Sequence, residues 1–140
     1  MELPVKLLSD SARLPSYAHA SDAGMDLYAD ETVVIAPQQR ALVKTGIALA
    51  VPAGHVGLVW DKSGIATKTG VTTLAGVIDS GYRGELQIAL FNTGNTPYDI
   101  QPGQKIAQLL IQPVQQITLQ KTTQLPEADR GANGFGSTGV

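Results

Sequence analysis

Short apolar segments recur along the whole chain, and most of them are bounded by Gly, Pro, Asn or Asp. Residues 85–92 show the pattern most clearly, because Leu86, Ile88 and Leu90 fall on one face of an extended chain. A sustained helical period of about 3.6 residues is hard to find. The pattern therefore predicts an all-β protein. The predicted strands cover residues 5–8, 25–28, 32–35, 41–51, 56–60, 71–74, 85–92, 98–100, 106–111 and 116–119.

Turn-forming residues separate these strands at positions 51–54, 92–95 and 101–104. Pro fixes one backbone dihedral there, and Gly or Asn accepts a positive φ. Only residues 63–68 hint at a helix, and it is short. We expect so many strands to close into a distorted barrel or to fold as a jelly-roll sandwich. The alternation stops near residue 120, so we expect a β-domain over residues 1–119 and a polar arm over residues 120–140 that can reach a neighbouring subunit.

The composition narrows the possible functions. The chain has 140 residues, of which 43% are hydrophobic and 16% charged, as expected for one globular domain. A formal net charge of -2 argues against a protein that binds nucleic acid or an acidic membrane over a wide surface, so any anion site must be local. Without cysteine, and with only His19 and His55, thiolate or multi-histidine metal sites are excluded. No apolar stretch is long enough to span a membrane, and we expect a soluble, cytoplasmic protein.

Residues 130–140 have the composition of a nucleotide clamp. Four glycines free the backbone N–H groups to face one anion, and Ser137 and Thr138 add hydroxyl donors. Arg130 supplies a two-pronged cation, and Phe135 offers a flat apolar face. The alternative is a disordered Gly-rich tail, a common feature of chain termini.

Residues 76–85 place a carboxylate, Asp79, between an apolar strand and a Ser-Gly turn, with Tyr82 three positions later. A carboxylate held at the mouth of a hairpin can orient and deprotonate a water molecule, and the ring of Tyr82 can pack flat on a sugar. The alternative is an ordinary β-turn, in which Asp79 caps its own backbone and Tyr82 is a half-buried packing residue.

Residues 60–66 leave a strand and open a helical turn with Lys62, Ser63 and Gly64 in succession, which suits a phosphate but lacks the glycine spacing of a P-loop. The alternative is Ser63 as a plain N-cap beside a solvated Lys62.

Two further polar residues interrupt apolar strands. Asp26 is an inward carboxylate, which is costly unless paired. It either orients waters on a magnesium ion or pairs with an arginine or a backbone donor. Gln108 is either a ligand-binding side chain or an outward-facing strand residue.

Taken together and in this order, these segments resemble the five motifs of the trimeric dUTP pyrophosphatase (dUTPase) family. The similar segments are residues 23–27, 62–64, 76–84, 106–109, 130–131 and 134–139, spread over nearly the whole chain. The resemblance implies a jelly-roll homotrimer with three active sites, each built from three subunits and closed by the arm of one of them. It also implies a dUTP diphosphatase that releases dUMP and pyrophosphate with Mg²⁺, supplies dUMP for thymidylate synthesis and keeps uracil out of DNA.

The resemblance also implies roles for individual residues. Asp79 would be the base that activates water, and Tyr82 would stack on deoxyribose. The backbone of residues 73–79, with Thr73, Val77 and Ile78, would read the uracil edge, and Gln87 would border the same pocket. Lys62, Ser63 and Gly64 would hold the α- and β-phosphates with help from Gln108, and Asp26 would contact magnesium through water, the metal being held mainly by the substrate phosphates. In the clamp, Arg130, Ser137 and Thr138 would bind the γ-phosphate, Phe135 would cover the uracil, and Gly136 belongs to the same binding segment.

Two positions depart from the family pattern. Members commonly carry Pro-Arg where this chain has Asp61 and Lys62, and many carry Asn at the position of Thr73. A guanidinium fork thus becomes a point charge, and a side-chain amide is missing from the base pocket.

Three other functions compete with dUTP hydrolysis. A dCTP deaminase, alone or combined with the pyrophosphatase, shares the fold, but its glutamate ten residues after the aspartate is replaced here by Ala89. Deaminases also tend to have Phe at the position of Tyr82. A non-catalytic nucleotide-sensing trimer has no need for Asp79, and a structural jelly-roll leaves the terminal clamp unexplained.

Overall fold

The computed structural model describes residues 1–133. Its strands are β1 (Val5–Leu7), β2 (Met25–Tyr28), β3 (Val33–Ile35), β4 (Arg40–Leu49), β5 (His55–Trp60), β6 (Val71–Leu74), β7 (Val77–Ile78), β8 (Glu85–Asn92), β9 (Tyr98–Ile100) and β10 (Lys105–Pro113). One short helix, α1 (Ser63–Thr69), lies between β5 and β6.

The strands form two four-stranded sheets and a two-stranded ribbon. One sheet has the order β1-β4-β8-β6, the other β2-β10-β5-β7, and β3 pairs with β9. All of the strand pairs are antiparallel. Side chains from both four-stranded sheets meet in one apolar core, as in a β-sandwich.

The core follows from the alternation of the strands. In β8, Leu86, Ile88 and Leu90 are buried, as the period of two predicts, and Leu27 and Leu109 from the other sheet pack into the same cluster. Burying these side chains is the main favourable contribution to folding. The sheets therefore hold the loops at their ends, where the polar motifs lie, on a rigid frame.

The all-β prediction is confirmed, and nearly all of the predicted strands are present with bounds shifted by a residue or two. The helix predicted at 63–68 is α1. The sheets do not close into one continuous barrel, so the jelly-roll sandwich is the better description. Among the described residues, no helix has the length and apolar character of a membrane span.

The strand predicted at residues 116–119 is wrong. Residues 114–133 form neither strand nor helix, and Ile117 and Leu119 are 82% and 91% exposed. Alternating residues become a strand only when a neighbour takes their backbone hydrogen bonds, and among residues 1–133 no strand pairs with them. The last strand of the described residues ends at Pro113, and the division into a domain over residues 1–119 and an arm over residues 120–140 stays a prediction.

Candidate active site

The pairing of β10 with β2 and β5 brings Asp26, Gln108 and Lys62 to the same end of one sheet. Gln108 lies opposite Asp26 on β2 and opposite Trp60 on β5. Lys62 follows β5 after one intervening residue, which places it at the same end of the sheet. We call Asp26, Lys62, Lys105 and Gln108 the cationic cluster.

Asp26 is buried and shared by two lysines. Lys62 Nζ donates to Asp26 Oδ1, and Lys105 Nζ lies 2.6 Å from Oδ2, close enough for an ion pair but outside hydrogen-bond geometry. Burial alone would raise the pKa of Asp26, but contacts with Lys105 and Lys62 outweigh it and lower the pKa. The same ion pair raises the pKa of Lys105. The carboxylate is thus paired, as in one of the two predicted alternatives, but with two lysines and not with an arginine or a backbone donor.

The start of α1 lies beside this cluster and is supported by Gln108. Gln108 Nε2 donates to the backbone oxygen of Asp61 at 2.8 Å, so its amide holds the chain just before Lys62. Ser63 and Gly64 are the first residues of α1 and are exposed. Ser63 is not the N-cap, because Lys62 occupies that position and makes no side-chain cap. Both residues are therefore available to a ligand.

Asp79 lies in a turn at the mouth of a second site. The turn is closed by Tyr82 N–H donating to the backbone oxygen of Asp79 at 3.1 Å. Within residues 1–133, no hydrogen bond involves the Asp79 carboxylate, which is exposed. The turn borders a pocket of about 310 Å³ that we call the hairpin pocket, lined by Leu42, Val77, Ile78, Asp79, Tyr82, Glu85, Leu86 and Gln87.

Tyr82 is held over the hairpin by a close approach to Gly84. Its hydroxyl donates to the backbone oxygen of Glu85 at 2.9 Å, and the residue as a whole is 46% exposed. A Cβ at position 84 would lie 2.7 Å from Tyr82 Cζ, so only glycine leaves room for the ring. The ring is therefore fixed in place while one part of it remains open to a ligand.

Thr73 begins the segment of residues 73–79, which crosses from β6 to β7. Its backbone N–H and its hydroxyl both donate to Asp61 Oδ1 at 2.6 Å. Within the segment, Ala75 and Gly76 have φ of 61° and 105°, and Val59 N–H donates to the Gly76 oxygen at 2.8 Å. The segment is thus held at two points around an unusual turn.

The structure does not bring Arg130 to either site. Its Nε donates to the backbone oxygen of Asn133 at 2.9 Å, within the arm itself. Phe135, Gly136, Ser137 and Thr138 lie outside the described residues. The predicted clamp stays a prediction.

Sequence reasoning gave no role to Lys105 or to the Asp61 carboxylate. Lys105 opens β10 and is far from Asp26 along the chain, so only the strand pairing reveals the contact. The position of Asp61 in the sequence could have predicted a partner for it, because a carboxylate directly before a phosphate-binding pattern requires cations or donors nearby.

Residues 1–133 contain no group of three or more His, Asp or Glu side chains that could hold a metal ion by themselves. Asp26 is the one carboxylate of the cationic cluster, and both of its oxygens face lysines. This donor set fits a Mg²⁺ ion carried mainly by phosphate oxygens and not one held in a protein cage.

Comparison with known proteins identifies the family of the chain. The dUTPase family model matches residues 10–139. A deoxyuridine 5'-triphosphate nucleotidohydrolase of Clostridium tetani is 45% identical over 139 residues, covering 98% of this chain and 96% of the relative. Another of that name, from Mycobacterium marinum, is 47% identical over 145 residues, covering 98% of this chain and 94% of the relative.

Two solved structures extend the comparison to the fold. A mutant dUTPase of Staphylococcus bacteriophage 80alpha with dUpNHpp has a TM-score of 0.95 and 35% identity, and the match covers 99% of both chains. A mutant dUTPase from phage phi11 of S. aureus, described with a structural Mg(II) ion, has a TM-score of 0.85 and 33% identity, covering 91% of this chain and all of the other. On the family model, the sequence identities and the shared fold, the chain belongs to the dUTPase family.

Proposed function

We propose that the protein is a dUTP diphosphatase, which hydrolyses dUTP to dUMP and pyrophosphate. Family membership supports the reaction, and the observation that carries it is the position of Asp79. Its carboxylate is exposed, makes no hydrogen bond within residues 1–133 and borders the hairpin pocket beside Tyr82. A group in that position is free to take a proton from a water molecule.

The reaction needs one located water and a stabilised leaving group. Asp79 accepts a proton from the water as its oxygen forms a bond to the α-phosphorus. The bond between that phosphorus and the oxygen bridging to the β-phosphate breaks, and pyrophosphate leaves with the electron pair. Tyr82 would stack on deoxyribose where a ribose hydroxyl would collide, and residues 73–79 with Gln87 would surround the uracil.

The phosphates are assigned to the cationic cluster. Lys62, Ser63 and Gly64 would contact the α- and β-phosphates, and Gln108 supports the same segment through the backbone of Asp61. Two lysines around one buried carboxylate leave a surplus positive charge, which favours an anion at this end of the sheet. The cluster therefore suits the growing charge on pyrophosphate.

Mg²⁺ is the proposed cofactor. When bound, it neutralises the phosphate oxygens and holds the triphosphate in one geometry. Asp26 is the carboxylate of the cluster that would contact its water shell, while Lys62 and Lys105 hold that carboxylate in place.

We also propose a homotrimer with shared active sites. Residues 114–133 lie outside both sheets, and Ile117, Leu119 and Leu125 are largely exposed in the single chain. Exposed apolar side chains on such an arm gain stability by packing on a neighbouring subunit. Arg130, Phe135, Gly136, Ser137 and Thr138 would then close over that subunit's substrate, Arg130 and the two hydroxyls at the γ-phosphate and Phe135 over the uracil. We place the enzyme in the cytoplasm and expect neither a nucleic-acid nor a membrane partner.

One assay tests the function. The protein is incubated with Mg²⁺ and each of dUTP, dCTP, dTTP and UTP, and the products are identified. We expect dUMP and pyrophosphate from dUTP alone. Ammonia from dCTP would show deamination, for which Ala89 supplies no acid or base, and absence of turnover would favour a nucleotide sensor.

The matched variant is Asp79→Asn, which keeps the shape of the side chain and removes the base. We expect it to bind dUTP and to lose turnover by at least about a hundredfold, the usual contribution of a general base. Near-normal turnover in this variant would remove Asp79 from the mechanism while leaving the family assignment intact.

A further inference from the structure

The carboxylate of Asp61 binds to β6. Its Oδ1 accepts hydrogen bonds from the backbone N–H and the hydroxyl of Thr73, both at 2.6 Å, and its Oδ2 accepts one from the Thr72 hydroxyl at 2.7 Å. Three donors on one carboxylate make a strong contact, because hydrogen bonds to a charged acceptor are shorter and stronger than neutral ones. Burial alone would raise the pKa of Asp61, but these bonds outweigh it and lower the pKa.

This contact joins two of the places where the chain departs from the family pattern. Asp61 stands where the pattern has proline, and Thr73 stands where many members have asparagine. A proline side chain has no acceptor for the two donors of Thr73. The two departures are therefore one feature of this chain, a carboxylate and a threonine that bind each other.

The contact also fixes a strained stretch of backbone. Ala75 has a φ of 61°, which is unfavourable for a residue with a Cβ, and Gly76 has a φ of 105°. Residues in such conformations persist only when their surroundings hold them. At one end, Val59 N–H donates a hydrogen bond to the Gly76 oxygen. At the other end, Thr73 N–H donates a hydrogen bond to the Asp61 carboxylate.

We propose that Asp61 is a positioning residue that fixes the start of residues 73–79 and thereby sets the selectivity for uracil. This inference rests on the proposed function, in which the backbone of those residues reads the base. Asp61 itself contacts no substrate. It acts through Thr73, and its own backbone is held by Gln108, so the base segment is tied to the chain that carries Lys62.

The test compares Asp61→Ala, Asp61→Asn and Thr73→Val in the full-length protein. The alanine variant loses all three bonds. The asparagine variant keeps an acceptor for Thr73 and gains a donor for the Thr72 hydroxyl. The valine variant keeps the backbone N–H of residue 73 and loses only its hydroxyl. The measurements are kcat and KM for dUTP and for dTTP, with the melting temperature of each variant.

We expect Asp61→Ala to raise KM for dUTP roughly tenfold to a hundredfold, the effect of losing hydrogen bonds to a charged group, with a smaller change in kcat. The ratio of kcat/KM for dUTP to that for dTTP should fall. Asp61→Asn should restore most of both values, and Thr73→Val should lie between. A wild-type KM for dUTP and a wild-type dUTP-to-dTTP ratio of kcat/KM in Asp61→Ala would overturn the proposal. A loss of both kcat and melting temperature that Asp61→Asn does not rescue would also overturn it.

The proposed function is judged separately, by whether the wild-type protein turns over dUTP at all. If Asp61→Ala does not fold, Thr73→Val still decides the question, because it removes one donor and leaves the carboxylate in place. A wild-type base ratio in that variant would then overturn the proposal.

Discussion

Lys105 and Lys62 contact opposite oxygens of one buried carboxylate, and Lys105 Nζ lies 2.6 Å from Asp26 Oδ2. Lys105 is the more exposed of the two lysines, with 47% of its side chain accessible against 29% for Lys62. Because two cations share one anion, neither is fully neutralised. Lys62 can therefore also interact with a phosphate, while Lys105 stays paired with Asp26.

Lys105→Met should therefore weaken the binding of dUTP, although Lys105 is not among the residues proposed to contact the substrate. With Lys105 removed, Asp26 holds Lys62 alone and withdraws it from the phosphates. We expect KM for dUTP to rise roughly fivefold, the scale of a partly exposed ion pair. Lys6→Met on β1 is the control, since it removes the same charge from an exposed strand away from Asp26. An equal rise in both variants would mean that only the net charge matters.

Lys62→Arg tests the departure from the family pattern at that position. A guanidinium presents a planar fork that contacts Asp26 and a phosphate at once, whereas an ammonium is a point charge. We expect KM for dUTP to fall or stay within about threefold in Lys62→Arg and to rise at least about tenfold in Lys62→Met. Steady-state kinetics on the two variants check this, and equal KM values would remove Lys62 from the phosphate site.

Gly84→Ala should displace the ring of Tyr82. The new Cβ would lie 2.7 Å from Tyr82 Cζ, so the ring must leave the position fixed by its bond to Glu85. We expect the ratio of kcat/KM for dUTP to that for UTP to fall roughly tenfold, because the ring would no longer exclude the ribose hydroxyl. Gly81→Ala in the same turn is the matched control, since a Cβ there meets no atom within 4 Å and a smaller change is expected.

Residues whose role depends on local pattern could be predicted from the sequence. Leu86, Ile88 and Leu90 are buried because a strand has a period of two, and that rule needs no knowledge of the partner strand. The turn that carries Asp79 and Tyr82 could be predicted for a similar reason, since its shape depends on neighbouring residues.

Contacts between distant segments could not be predicted in this way. Asp26 clearly needed a partner, but its two lysines are chosen by the pairing of β2, β5 and β10. The strand predicted at residues 116–119 fails for the opposite reason, because Ile117 and Leu119 have the alternation but no described strand pairs with them. The sequence pattern indicates which secondary structure a segment can form, and the strand topology determines which other residues the segment contacts.

The Asp61 carboxylate should make stability depend on pH in the acid range. Its pKa in the folded protein is below the ordinary value of 3.8, so it stabilises the fold above that value and the contribution is lost as pH falls through the lowered pKa. We expect the melting temperature of Asp61→Asn to be roughly 2–5 °C below wild type at pH 7 and the difference to shrink as the pH falls below 3.8. Thermal melts from pH 7 to pH 3 measure this, and a constant gap between the proteins would show that charge is irrelevant at this position.

Deletion of residues 130–140 should separate catalysis from folding. Within residues 1–133 the last strand ends at Pro113 and every residue of the apolar core lies before it, so the deletion removes none of the core side chains that the structure describes. We expect the truncated protein to keep its melting temperature within about 2 °C, while kcat/KM for dUTP falls at least about a hundredfold because the γ-phosphate and the uracil lose their cover. Arg130→Ala in the full chain is the matched variant, and it should lose part of the same activity.

Thermal melts, light scattering for the oligomeric state and steady-state kinetics make the measurement. A truncated protein that unfolds or becomes a monomer would show that the arm serves the assembly more than the reaction, and one with full activity would remove the arm from the active site.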